Sequence, residues 1–186
     1  MRRRVDITVL ARSVAAPAHR PSFTVVLMGV SGSGKSTVMH ALIEQLGWPS
    51  AEADEFHSAA NVAKMSAGRP LTDDDRWPWL RAIAEWIGQR ETAATDAVVT
   101  CSALRRTYRD FLRSGHPSVR FVHLVAERTV LERRMEHRRD HFMPPSLLGS
   151  QLATLEPLDP DEPGFVVSGE QPPERIVDEI VAWLHR

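Results

Sequence analysis

Apolar residues along this chain fall into two kinds of pattern. Short, nearly unbroken runs occur at Phe23 to Met28, at Asp96 to Ser102 around Val98-Val99, at Phe121 to Ala126 and at Phe165-Val166-Val167. Runs of this length without alternation predict strands covered on both faces, as in a parallel sheet. Between them the apolar positions recur at helical spacing. Val38, Leu42, Ile43 and Leu46 follow the first run, and Trp79, Leu80, Ile83, Trp86 and Ile87 mark the buried face of a long helix. Leu147, Leu148, Leu152 and Leu155 restart a helix after Pro144-Pro145, and Pro173 to Leu184 is amphipathic.

Smaller signals fill the gaps. Gly47-Trp48-Pro49 ends the first helix, and a short second strand leads into Glu52-Ala53-Asp54-Glu55-Phe56-His57. Asn61 to Met65 reads as a short helix stopped by Gly68-Arg69-Pro70. The acids Asp73-Asp74-Asp75 suit the start of the long helix, with Pro78 expected in its first turn. Ala103 to Arg113 is a basic helix. Five strands alternating with helices, without an internal repeat, predict one doubly wound α/β domain over residues 22–186. Residues 1–21 are expected to be a poorly ordered extension, because Asp6 and Arg12 interrupt any apolar leader core.

Composition narrows the class. A chain of 186 residues with 42% apolar content can bury a sizeable core. Its formal net charge of −1 gives no general electrostatic footprint for nucleic acid or an anionic membrane. No apolar run approaches the roughly 20 residues of a membrane span. The single cysteine, Cys101, cannot form an internal disulfide, which fits a reducing cytoplasm.

The first strand runs straight into Gly29-Val30-Ser31-Gly32-Ser33-Gly34-Lys35-Ser36-Thr37, a G-x-x-x-x-G-K-S pattern followed by a helix. Strand, glycine-rich turn and helix in that order identify a P-loop. Its glycines let successive N–H groups turn inward around a phosphate chain, and Lys35 reaches the terminal phosphates. Ser36 offers a hydroxyl to Mg²⁺, while the helix start adds its positive dipole end. A nucleoside triphosphate is therefore expected here.

Residues just past the second strand suggest an acceptor half. Glu52 and Asp54 would lie at the carboxyl end of a strand, where open α/β sheets bind ligands. A phosphotransferase needs acids there to hold water around Mg²⁺ and to orient an attacking hydroxyl. One of the two could serve the metal and the other the acceptor. An acidic helix start explains the same residues equally well. Arg76 either balances its acidic run or presents a cation to a carboxylate substrate. The basic helix carrying Arg105 begins at another strand end.

The segment Glu127 to Met143 carries Arg128, Arg133, Arg134, Arg138 and Arg139, as expected of a lid that closes over phosphates, or of an exposed basic helix. His137 and His141 share an i, i+4 relation but lack an evident third metal ligand. Cys101 reads as inert core filler and His123 as a core histidine.

Together these segments resemble the gluconokinase family of small P-loop carbohydrate kinases, over about Thr24 to Pro157. The resemblance rests on the Met28 to Ser36 loop, Asp54 with His57, Asn61 with Lys64-Met65, and Leu71 to Leu80. It also rests on Cys101 to Arg106 with Tyr108-Arg109-Asp110, His141-Phe142, Ser150-Gln151-Leu152 and Leu155-Glu156-Pro157. It implies a three-layer α/β P-loop kinase fold with a five-stranded parallel sheet and a helical lid. The implied reaction is ATP-dependent phosphorylation of D-gluconate at its 6-hydroxyl, with Mg²⁺, in a cytoplasmic homodimer.

By resemblance, Asp54 is the acid at the acceptor hydroxyl, and His57, Arg76 and Arg105 fall in the sugar-acid pocket. Lys35 and Arg138 join Asp54 as catalytic residues, Arg134 sits near the nucleotide, and Ser36 and Glu52 serve the metal, Glu52 through water. The chain departs from the family pattern in having Glu52-Ala53-Asp54 for an Asp-Gly-Asp type sequence, Ser58 for a proline, and Asp140 where a glycine is common. Two other readings stay open. One is a P-loop kinase of another small acceptor, such as shikimate or a nucleoside monophosphate. The other is a nucleotide-binding switch, although no Asn-Lys-x-Asp guanine signature is present.

Overall fold

The structure, a computed structural model, describes residues 22–137 and 145–185. The expected N-terminal extension and the lid residues Arg138, Arg139, Asp140 and His141 lie outside the described residues. In chain order the elements are β1 (Thr24–Met28), α1 (Lys35–Leu46), β2 (Ser50–Glu52), a 3₁₀ turn (Ala53–Phe56), α2 (Ala59–Ser66) and α3 (Asp73–Thr92). Then come β3 (Ala97–Thr100), α4 (Arg106–Arg113), β4 (Val119–Val125), α5 (Arg128–Glu136), a second 3₁₀ turn (Pro145–Leu147), α6 (Leu148–Thr154), β5 (Gly164–Ser168) and α7 (Pro173–Leu184).

The five strands form one sheet in the order β2-β3-β1-β4-β5, and every pairing is parallel. Alternation along β1 sorts its side chains between two cores. Val25 and Leu27, with Val98, Val122, Leu124 and Val167, meet Val38, Met39 and Leu42 of α1 and Ile176, Val177 and Ile180 of α7. On the other face Val26 and Met28, with Val99 and Phe121, meet Trp79, Leu80, Ile83 and Ile87 of α3 and Tyr108 and Leu112 of α4. Helix, sheet and helix make the expected three layers. The strand order puts the P-loop after the central strand, beside the point where the chain crosses from β3 to β4. That crevice is where such sheets bind ligands.

Helix α3 begins earlier than its proline suggests. Thr72 and Asp75 form a reciprocal capping box, so the helix starts at Asp73 and Pro78 lies inside it rather than in its first turn. Lys64 of α2 donates to Asp75, and this hydrogen bond, helped by those from Thr72, holds the Asp75 carboxyl down to about 2. The amide of Asn61 also donates to the Asp75 carbonyl, at 2.8 Å. These contacts fix α2 against the start of α3. Trp86, expected on the buried face, is half-buried.

Arg109 on α4 is fully buried. It donates through Nε and Nη2 to Glu162 at 2.6 and 2.8 Å, and to the carbonyls of Glu156 and Pro157 at 3.0 Å each. A buried cation needs this degree of satisfaction. The pair pins the loop after α6 to the start of α4, at the same end of the sheet as the P-loop.

Candidate active site

The P-loop turns tightly off β1. Gly29 has φ of 134°, and a Cβ there would sit 2.6 Å from the Leu124 carbonyl oxygen, so only glycine fits. Lys35 opens α1 and its Nζ donates to the Gly29 and Val30 carbonyls at 3.0 Å each. The Ser31 N–H donates to Oε1 of Gln151 at 2.7 Å, which ties α6 to the loop. Arg134 on α5 donates to the carbonyls of Gly32, at 3.3 Å, and Gly169, at 2.9 Å. Gly169 in turn presses on the loop: a Cβ there would meet the Ser33 carbonyl oxygen at 2.3 Å.

One cavity joins this loop to the acidic segment. Its walls include Ser31, Gly32, Gly34, Lys35 and Ser36 from the P-loop, and Glu52, Asp54, His57 and Arg76 from the expected acceptor half. A second cavity shares Gly32, Gly34 and Ser36 and continues past Thr37 and Arg134 towards Gln171. Val30 and Ser33 are buried behind the loop surface.

Glu52 and Asp54 both line the first cavity. β2 ends at Glu52 and the chain turns into a 3₁₀ helix at Ala53, so Asp54 reaches the cavity from that turn and not from the strand. Thr100, paired with Glu52 in the sheet, donates its hydroxyl to the Glu52 carboxylate and accepts from the Ala53 N–H at 3.4 Å. The Ser58 departure has a local use as well, since its hydroxyl caps α2 by accepting from the Asn61 N–H at 3.2 Å.

His57 stacks on Trp79 with ring centroids 4.5 Å apart and planes 11° from parallel. Trp79 is anchored by its Nε1–H to the Ala53 carbonyl at 2.6 Å. Burial lowers the His57 pKa and Arg76 adds to this, while Asp54 pulls it back up. Its Nδ1 is buried with no hydrogen-bond partner among the described residues.

Arg76 and Arg105 meet on one carboxylate. Asp73 accepts from Arg105 Nη1 at 2.9 and 3.2 Å and from Arg76 Nη1 at 3.4 Å. It also accepts from the Tyr108 hydroxyl at 2.6 Å, which is the main cause of its lowered pKa. Arg76 and Tyr108 line the cavity; Arg105 does not, standing behind them on Asp73.

Of the residues expected from sequence, the structure thus gathers Lys35, Ser36, Glu52, Asp54, His57 and Arg76 at one cavity, with Thr37 and Arg134 at its neighbour. Arg138 lies outside the described residues. Sequence pattern alone assigns no role to Asp73, Thr100, Tyr108, Gln151 or Gly169. Gly169, just past the end of β5, was the most accessible of these, because ligand sites gather at strand ends. Cys101 is buried and its thiol is pushed up to about 12 by burial, so it is inert. Among the described residues no group of three or more His, Cys, Asp or Glu could hold a metal ion.

A P-loop at the switch point of a parallel sheet, opening into a cavity with carboxylates and an arginine, defines a P-loop kinase. The family model described as "AAA domain" matches residues 25–158. A gluconokinase of Gluconobacter oxydans is 49% identical over 162 residues, covering 87% of this chain and 90% of that protein. Among solved structures, a sugar kinase from a Janibacter species shares 55% identity with a TM-score of 0.84, covering 89% of this chain and 95% of that one. A gluconokinase from Sinorhizobium meliloti shares 49% with a TM-score of 0.78, covering 90% and 94%. This chain belongs to the gluconokinase family.

Proposed function

We propose that this protein transfers the γ-phosphoryl group of ATP to the 6-hydroxyl of D-gluconate, giving 6-phospho-D-gluconate. The observation that carries the reading is the single cavity that has Lys35 and Ser36 on one wall and Asp54, His57 and Arg76 on another. Family membership supplies the acceptor. In this reading the loop N–H groups and Lys35 hold the transferring phosphate, and Asp54 orients the attacking hydroxyl and accepts its proton. Arg76 takes the acceptor's carboxylate, and neutral His57 contacts its hydroxyls. Phosphoryl transfer of this kind is mostly positioning and charge stabilisation.

The residues present suit Mg²⁺. The Ser36 hydroxyl and the Glu52 carboxylate are hard oxygen donors on the same cavity. Mg²⁺ is typically bound by one or two protein groups, phosphate oxygens and water, which fits the absence of a larger ligand cluster among the described residues. When bound, the ion would offset phosphate charge. Arg134, already seated on the Gly32 carbonyl, borders the nucleotide. Arg138, from the lid segment, is the further cation the family pattern brings to the transferring phosphate. A cytoplasmic homodimer is the setting the same resemblance supports.

The identity of the product tests this reading. Phosphorus NMR of the reaction should show a phosphomonoester coupled to the two C6 protons of gluconate; coupling to a single proton would place the phosphate on another hydroxyl.

A further inference from the structure

The polarity of the hydrogen bonds around Asp73 fixes what the acceptor pocket can read. A phenol has one proton to give and lone pairs to receive. Tyr108 gives its proton to Asp73 Oδ1 at 2.6 Å and receives one from Arg76 Nη1 at 3.1 Å. An ionised carboxylate can only accept, so Asp73 locks the phenol in this orientation. Tyr108, which lines the cavity, therefore has acceptor capacity left and no proton to donate. It is a buried residue that lines the cavity next to Arg76.

Arg76 is locked in the complementary sense. Its Nη1 is engaged by Asp73, at 3.4 Å, and by Tyr108, while Nε–H and Nη2–H have no hydrogen-bond partner among the described residues. Those two groups form the parallel pair that grips a carboxylate in bidentate fashion. A donor pair for a carboxylate thus stands beside an acceptor-only oxygen suited to a hydroxyl. Carboxylate and hydroxyl on adjacent carbons are the mark of a 2-hydroxy acid.

We infer that Tyr108 is a specificity residue that accepts a hydrogen bond from the acceptor's 2-hydroxyl while Arg76 binds the neighbouring carboxylate, with Asp73 as the positioning residue that sets both. Arg105, donating to Asp73 from behind the cavity wall, steadies that carboxylate rather than touching the substrate. The inference rests on the gluconate reading and adds the feature of the substrate that is recognised at the end remote from the transferred phosphate.

The test compares kcat/KM for gluconate, 2-deoxygluconate and 3-deoxygluconate in the wild type and in Tyr108→Phe. The wild type should favour gluconate over the 2-deoxy acid by about tenfold, the worth of one well-placed hydrogen bond. Tyr108→Phe should lose that preference while keeping the 3-deoxy ratio and the KM for ATP. Asp73→Asn, which lets the side-chain amide donate to the phenol, should raise the KM for gluconate several-fold and weaken the 2-hydroxyl preference with kcat retained. Asp73→Glu should restore part of that preference. A wild type that treats gluconate and 2-deoxygluconate alike would overturn the assignment, as would a preference that persists in Tyr108→Phe. If the wild type turns over no gluconate at all, the function reading itself falls, and the assignment with it.

Discussion

Thr100 and Glu52 sit side by side on β3 and β2, and the threonine hydroxyl donates to the glutamate carboxylate at the mouth of the cavity. The same hydroxyl accepts from the Ala53 N–H, so one side chain holds both the acid and the turn that carries Asp54 into the site. Glu is one methylene longer than the Asp of the family pattern, and here that extra reach ends on Thr100. Thr100→Val keeps the shape of the side chain but strips both bonds. We expect a loss of about 1 kcal/mol in stability by urea titration and a lower kcat, with Thr100→Ser recovering most of each. Wild-type values in Thr100→Val would remove it from the site's support.

The two halves of the cavity should separate in kinetics. Lys35→Ala should lower kcat by about a thousandfold or more in a protein whose circular dichroism is unchanged, since charge stabilisation at the phosphate is lost. Asp54→Asn should lower kcat by about 100-fold or more while the Kd for ATP stays near the wild-type value. Near-normal kcat in either purified variant contradicts the role given to that residue.

Gly169 supports the P-loop from outside it. A methyl group there would fall 2.3 Å from the Ser33 carbonyl oxygen and 3.5 Å from that of Val125, so backbone must move. Gly169→Ala should raise the KM for ATP several-fold and lower the melting temperature, leaving the KM for gluconate little changed. An unaltered KM for ATP would show that this contact does not shape the loop.

His123 makes stability depend on pH. Burial in β4, with Arg109 and Lys35 adding to it, lowers its pKa to about 4, so the folded protein holds it neutral where the unfolded chain protonates it. Between about pH 6.5 and pH 4 the unfolded state therefore binds more protons, and the contribution, fully present above that window, is lost as pH falls. From pH 7.5 to 5.5 the loss at this one site should be about 1 kcal/mol. His57, lowered chiefly by burial, acts in the same direction. Denaturant titrations at the two pH values should show a smaller difference in His123→Gln than in the wild type. An equal difference contradicts the assignment.

Much of this architecture is legible in the sequence because it is written in local pattern. The apolar runs give four of the five strands, the Gly29 to Ser36 spacing gives the phosphate cradle, and chain order places both at one end of the sheet. What escaped depends on contacts across the fold. Asp54 enters the cavity from the 3₁₀ turn that begins where β2 stops, a turn that the local pattern does not mark. Pro78 suggested a helix start that the Thr72–Asp75 capping box moves upstream. Tyr108 looked like one more residue of a basic helix, since its partner Asp73 is 35 residues away and meets it only when α3 and α4 pack. Arg105 donates to Asp73, 32 residues away, a contact that chain order alone does not show.

The central claim, a kinase that phosphorylates gluconate, is tested most directly by an ATP-consumption assay on the purified protein across D-gluconate, other sugar acids, shikimate and nucleoside monophosphates. ADP formation should depend on gluconate and be abolished by Lys35→Ala. Turnover with shikimate or a nucleoside monophosphate, and none with gluconate, would contradict it.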